Sequence, residues 1–136
     1  MWNLYNQVLR VCYTTNTNAN WTYGTAGYRE SNNGTGAVKA EFVVGILGYT
    51  IEIDGSQNAI ATTSGARGAI GITSTTVQSG KTWFSQSTAA QPYVVQHSLN
   101  APIGYSYATM LEYVDGGTAT YNGLVGGGKY DVHIYN

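Results

Sequence analysis

The chain has 136 residues with a formal net charge of −1, and 10% of its residues are charged against 12% that are aromatic. This length predicts a single domain, residues 1–136, that buries a core without needing disulfides or a metal. Because the six Lys and Arg residues form no cluster and no apolar run approaches the roughly 20 residues of a membrane helix, we expect neither a nucleic-acid partner nor membrane insertion.

Strands are predicted for much of the first half of the chain. Residues 4–14 alternate between apolar and polar side chains, as a half-buried strand does. Residues 15–36 are too rich in Asn, Thr and Gly for a helix, and they predict either a long loop or short strands joined by loops. Residues 38–54 are extended and end in a turn at the following glycine, while Gly45 and Gly48 indicate a bulge or a break in that run.

Small residues dominate the next segment, residues 56–80, which predicts inner strands packed closely against a neighbour. Short strands follow at residues 82–84 and 92–99, and the second begins at Pro92, a residue that suits the first position of a strand. Residues 105–114 fit either a helical face or an alternating strand, and the β-rich surroundings favour the strand.

The C-terminal part contains the stretch DGGTATYNG at residues 115–123. Asp-Gly and Asn-Gly favour tight turns because Gly accepts a positive φ, so the stretch predicts one short strand between two turns. Residues 130–135 alternate again. The sequence therefore predicts an all-β fold of about eight to ten short antiparallel strands, for which a jelly-roll-like β-sandwich is the simplest closed arrangement.

The order of segments in the second half resembles a known group of trimeric heads. YTIEIDG, a small-residue middle, VVQHSLNAPIGYSYATMLEYV and GTATYNG with a last alternating strand resemble the C-terminal heads of phage tail fibres and tailspikes. More distantly, this layout is similar to the trimeric jelly rolls of the tumour necrosis factor and complement type. Similar heads tip the adhesive fibres of bacteria.

This resemblance implies both a function and a location. The chain would form a homotrimer that binds a surface receptor, often a cell-surface glycan, at a virion tail-fibre tip or elsewhere in an extracellular or cell-surface setting. Gly104 and Tyr105 would introduce the strand that stacks on the three-fold axis. Two alternatives remain open: a free-standing sugar-binding lectin, and a structural capsid or decoration protein without a binding site.

The candidate ligand-binding residues are aromatic side chains in polar surroundings and one neighbouring cation. Sugars bind against aromatic faces and share hydrogen bonds with polar side chains. The candidates are Trp21, Tyr23, Tyr28, Arg29 and Trp83. For Trp21 the alternative is a core position at one end of the sandwich, and for Arg29 it is a solvated ion pair with Glu30.

Neither catalysis nor a cofactor is expected. His97, Ser98 and Asp115 are residue types of a hydrolase, but no nucleophile-elbow motif accompanies them. His97 and His133 could ligate a metal at a three-fold axis, although an interface or surface histidine is the expected role. Cys12 is the single cysteine, which excludes an internal disulfide and predicts a buried small side chain. We therefore predict a non-enzymatic protein without a metal.

Overall fold

The computed structural model describes the backbone of residues 10–15, 20–32, 38–45, 48, 50–80, 83–122 and 129–135, with side chains except at 10–15, 62–64, 83–87 and 129–135. This part of the chain contains no α-helix, and hence none that could cross a membrane. It forms nine strands: β1 (Arg10–Thr15), β2 (Asn20–Tyr23), β3 (Arg29–Glu30), β4 (Lys39–Val44), β5 (Thr50–Ile72), β6 (Trp83–Asn100), β7 (Gly104–Val114), β8 (Ala119–Asn122) and β9 (Lys129–Tyr135).

Two long strands, β5 and β6, run through both sheets of a sandwich. Residues 50–60 of β5 pair with β9 and β8 on one side and with residues 91–100 of β6 on the other. Register shifts between Ala59 and Ala66 then carry β5 into the second sheet, where it pairs with β7 and with the start of β6. The pairing of β1 with β9 and β2 with β8 extends the first sheet, while β3 and β4 pair with β7.

The prediction of an all-β, antiparallel jelly-roll-like sandwich is confirmed, since the named strands all pair in antiparallel fashion. Residues 15–36 contain the short strands β2 and β3, and residues 105–114 form β7 rather than a helix. The predicted run of extended residues is interrupted between the end of β4 and the start of β5, where Gly48 has a φ of 101°. The predicted strand within DGGTATYNG is β8, preceded by Gly116 and Gly117, both with positive φ.

Two predicted boundaries are wrong. The expected turn after Asp54 does not form, because Gly55 is paired with β9 on one side and with β6 on the other, and a residue held by two neighbouring strands stays extended. Pro92 lies inside β6 rather than at its beginning. In the described part of the chain β6 pairs only with β5, so its other edge loses no ladder hydrogen bond to the proline.

Inward-facing residues of both sheets form one hydrophobic cluster. In the first half of β5, residues 51–61, every second residue is buried while its neighbours are more exposed, as the two-residue period of a strand requires. The larger members of the cluster include Phe42, Ile51, Ile53, Ile70, Tyr93, Met110 and Tyr121. Gly68 sits opposite a large side chain: a Cβ atom at this glycine would lie 2.1 Å from Cε2 of the buried Tyr93. The two sheets therefore approach each other closely at this point.

We expect Gly68→Ala to lower the free energy of unfolding by about 1–3 kcal/mol, because the added methyl group overlaps the Tyr93 ring and a packed core cannot make room cheaply. Gly45→Ala is the matched control, since a Cβ atom there meets nothing within 4 Å. Urea denaturation of both variants measures the difference. Equal stability of the two variants would contradict this account of the packing.

Candidate functional site

Strand β7 carries a fully buried carboxylate, Glu112, where it pairs with β3. Arg29 Nε donates to Glu112 Oε1 at 2.6 Å, and Trp21 Nε1 donates to Oε2 at 2.5 Å. Ser31 Oγ adds a longer contact of 3.4 Å to Oε2. A buried charge needs such partners, so this one carboxylate ties β2 and the β3 region to the second sheet.

Opposing effects act on the pKa of Glu112. Burial raises the pKa because a poorly solvated site disfavours the charged form, whereas the hydrogen bonds from Trp21 and Arg29 and the positive charge of Arg29 lower it. Burial is the largest of these effects, so the pKa of Glu112 lies above its ordinary value. Its charged form therefore depends on Trp21 and Arg29 remaining in place.

Arg29 links this buried network to the protein surface. Its guanidinium lies 3.9 Å from the centroid of the Tyr23 ring, and its Nη2 donates to the backbone oxygen of Thr22 at 3.1 Å. The Tyr23 hydroxyl in turn donates to the Gly27 carbonyl at 3.0 Å. These contacts fix the loop between β2 and β3 as well as the two strands that flank it.

Trp21, like Arg29, is held by contacts with other parts of the fold. It is half-buried, packs against the hydrophobic cluster and stacks on Tyr121, with ring centroids 6.0 Å apart and ring planes 12° apart. The Tyr121 hydroxyl donates to the backbone oxygen of Tyr113 at 2.9 Å, and burial raises the pKa of that hydroxyl, which therefore stays a neutral donor. Trp21 is thus held against the core by a stacked ring and by its hydrogen bond to Glu112.

The next residue of β7, Tyr113, faces the opposite side of the strand and belongs to a group on the outside of the second sheet. Its register partner on β5 is Arg67, whose guanidinium lies 5.0 Å from the Tyr113 ring centroid. The Tyr28 ring contacts Tyr113 with centroids 4.8 Å apart and planes tilted by 42°. Arg67 Nη2 donates to Asp115 Oδ2 at 3.1 Å. We call Tyr28, Arg67, Tyr113 and Asp115 the outer array.

The outer array is held rigidly but remains accessible. Arg67 lies on a strand that is paired on both sides, and the Asp115 backbone N–H donates to the Gly65 carbonyl at 2.9 Å. The side chains of Arg67 and Asp115 are 38% and 32% exposed, and both tyrosines are half-buried. The surface therefore combines aromatic rings, a cationic donor and an anionic acceptor in fixed positions.

Four of the five predicted ligand-binding residues lie at this end of the molecule. Trp21 and Arg29 bind Glu112, Tyr23 contacts Arg29, and Tyr28 belongs to the outer array. Trp83 is the first residue of β6, where its backbone pairs with Gly68. Its side chain lies outside the described part of the chain, as do those of Cys12 and His133. The binding role of all five residues stays a prediction.

Sequence reasoning missed the residues that complete both groups. Arg67 lies in a glycine-rich segment and reaches Tyr113 only through strand pairing between residues 46 positions apart. Glu112 has no sequence feature that distinguishes it from an exposed strand carboxylate. Asp115 was noted as a turn residue and as a hydrolase residue type but not as part of a binding surface, although Tyr113 does belong to the alternating aromatic set of β7.

A polar groove of about 360 Å³ lies on the first sheet and is lined by Glu52, Asp54, Gln96, His97 and Ser98. Gln96 Nε2 donates to Asp54 Oδ1 at 2.8 Å, and partial burial lowers the pKa of His97. None of the described side chains that line this groove is aromatic. The hydrolase residue types do not meet here, because Asp115 pairs with Arg67 in the outer array. No group of three metal-ligating side chains occurs among the described residues.

The sequence matches no protein-family model and no curated protein. The fold is similar to the Eiger tumour necrosis factor of S. frugiperda, with a TM-score of 0.55 at 8% identity over 94% of this chain and 92% of that one. Other similar structures are the CBM36-1 domain of a xylanase from the Trinervitermes trinervoides hindgut metagenome (TM-score 0.42, 11% identity, 93% and 96% coverage) and the carbohydrate-binding module CBM6cm-2 of Cellvibrio mixtus lichenase 5A (0.40, 14%, 94% and 86%). At these identities, the likeness to the tumour necrosis factor establishes the jelly-roll fold alone.

We expect Arg29→Met to destabilise the protein by about 3–5 kcal/mol at pH 7, because it leaves Glu112 as a buried charge without its cation. Removal of Arg29 raises the folded-state pKa of Glu112 further above the unfolded value, so the stability of the variant falls as pH rises between those two values. The loss should therefore be smaller at pH 5 than at pH 7. Urea denaturation at both pH values measures this difference.

Arg67→Met is the control, because it removes a partly exposed ion pair that contributes at most about 1 kcal/mol. A second variant, Arg29→Met with Glu112→Gln, should recover part of the stability at pH 7, since the buried charge is gone. An Arg29→Met loss that is equal at pH 5 and pH 7 would show that the Glu112 charge is not its cause.

Proposed function

We propose that this chain is a non-enzymatic binding head that recognises a carbohydrate through the outer array. The observation that carries the proposal is the contact of Tyr113 with both Tyr28 and Arg67, beside the ion pair of Arg67 with Asp115. These partly exposed groups lie together: Arg67 and Tyr113 on paired strands of the second sheet, Tyr28 directly before β3, and Asp115 directly after β7.

The chemistry of this surface suits a polyhydroxylated ligand. The C–H patches of a sugar pack against aromatic rings, and its hydroxyl groups both donate and accept hydrogen bonds. The outer array offers tyrosine rings for the first interaction, and a guanidinium and a carboxylate for the second. Its charges balance, and the whole chain has a net charge of only −1, so the array has no excess positive charge with which to bind phosphates.

The other predicted residues have supporting roles in this proposal. Arg29 follows Tyr28 in the chain, and together with Tyr23 it holds the loop between β2 and β3 in place. Trp21 holds the same segment through its contacts with Glu112 and Tyr121. Trp83 is the first residue of β6, and its backbone pairs with Gly68 of β5, the neighbour of Arg67. The Tyr28 side of the array is thus part of a segment fixed from within the core.

Tyr113→Ala should weaken glycan binding at least about tenfold, because the central ring of the outer array contacts both Tyr28 and Arg67, and stacking contacts of this kind contribute of the order of 1 kcal/mol or more. The measurement is binding to a glycan array, followed by calorimetry with any sugar that binds. Tyr107→Ala is the matched control, since Tyr107 lies on the same strand but contacts Lys39 instead. The same loss in both variants would place the site elsewhere.

We further propose that three copies assemble into a fibre-tip head, displayed on a virion or another extracellular surface. The support is an apolar patch at the beginning of β7. Val43 and Tyr105 are directly paired across β4 and β7 and are 73% and 58% exposed, and the nearby Ile103 is 57% exposed. Tyr105 is also the residue that the resemblance to trimeric heads assigns to the three-fold axis. Three weak sites on one rigid head would gain avidity on a surface that presents many ligands.

Light scattering over a range of concentrations should give three times the 14.5 kDa mass of one chain. Val43→Thr combined with Tyr105→Gln should reduce that mass, because the apolar contact between copies is weakened. Val94→Thr, which alters an exposed valine on β6, is the control. A concentration-independent monomer that binds glycans would favour the free-standing lectin, and a protein that binds no glycan would favour the capsid or decoration role.

A further inference from the structure

Asp115 is the one acidic side chain of the outer array, and much of its hydrogen-bonding capacity is unused. A carboxylate offers about four acceptor positions. Within the part of the chain that the structure describes, the Asp115 side chain is hydrogen-bonded only by Arg67, through a single bond to Oδ2. The side chain is 32% exposed. It can therefore accept hydrogen bonds from a ligand without giving up the contact with Arg67.

The position of this carboxylate is fixed before any ligand arrives. Asp115 follows β7 directly, and its backbone N–H donates to the Gly65 carbonyl. Gly116 and Gly117 then turn the chain with φ values of 137° and 71°, which side chains with a Cβ atom rarely adopt. Arg67 completes the arrangement from the neighbouring strand. A preorganised acceptor loses little entropy when it binds.

We infer, on the basis of the proposed function, that Asp115 determines which sugars the outer array accepts. The carboxylate accepts hydrogen bonds from two adjacent hydroxyl groups of a sugar ring that lies beside Tyr113. Arg67 is the positioning residue, because it orients the carboxylate through the Nη2–Oδ2 contact. The ligand class is a neutral pyranose with adjacent free hydroxyl groups.

The negative charge of Asp115 favours neutral sugars over anionic ones. A uronate or sulfated sugar in the same place would put an anion beside the Asp115 carboxylate, and like charges at contact distance repel strongly. Arg67 is already paired with Asp115 and Arg29 with Glu112, so neither arginine adds a net attraction for a second anion. The array therefore gives an anionic sugar no net attraction, whereas a hydroxyl group forms a charge-assisted hydrogen bond.

The test uses pairs of sugars that differ only at C6: glucose with glucuronate, galactose with galacturonate and mannose with mannuronate, each as immobilised oligosaccharides. We expect the wild type to bind at least one neutral member about tenfold or more tightly than its uronate. Asp115→Asn keeps the shape of the side chain but removes its charge. This variant should bind the neutral sugar about tenfold more weakly and lose most of its preference over the uronate.

Asp54→Asn is the matched control, because Asp54 is also hydrogen-bonded by a neighbouring side chain but lies in the groove of the first sheet. It should leave affinity and preference unchanged. Equal or tighter binding of uronates by the wild type would overturn the inference, whatever the variants do. So would an Asp115→Asn variant that keeps the wild-type preference.

The same experiment separates the two proposals. If the wild type binds sugars, and Tyr113→Ala weakens that binding while the preference for neutral sugars is missing, carbohydrate binding stands and the role of Asp115 is wrong. If the wild type binds no sugar of either kind, both proposals fail. Thermal denaturation of each variant shows that it is folded before its binding is compared.

Discussion

The buried carboxylate of Glu112 is the interaction on which this end of the molecule depends. It lies on the central strand β7 and accepts hydrogen bonds from Trp21 on β2 and Arg29 on β3. Strand β3 has only two residues and β2 only four, so backbone pairing alone holds them weakly. The carboxylate adds charge-assisted contacts in a poorly solvated place, where such contacts are strong but costly to leave incomplete.

Alternation along β7 places this structural group and the proposed binding group on opposite sides of one strand. Glu112 points into the sandwich, and Tyr113 points outward between Tyr28 and Arg67. Any shift in the register of β7 by one residue would exchange the two, burying the tyrosine and exposing the carboxylate. The core therefore fixes the geometry of the surface. The backbone contact from Tyr121 to Tyr113 reinforces that link.

Small residues let the two sheets meet closely enough for this arrangement. Gly68 of β5 pairs with Glu112 of β7 on one side and with Trp83 of β6 on the other. The Tyr93 ring fills the space that a side chain at Gly68 would need. Tyr93 also donates to Gln57, which in turn accepts from Ser31. Ser31 Oγ also contacts Glu112 Oε2 at 3.4 Å. A continuous chain of buried polar contacts thus connects the first sheet with the second, and with the base of the outer array.

The sequence by itself determined the all-β class and the places of several strands, β7 and β8 among them, because alternation and glycine turns are local signals. It also drew attention to the segment from Trp21 to Arg29. It could not determine that β5 continues through Gly55, that Arg67 meets Tyr113, or that Glu112 is buried. Those facts follow from pairing between distant strands, which decides whether a glycine turns or stays extended and whether a carboxylate meets water or an arginine. Only the tertiary structure brings such partners together.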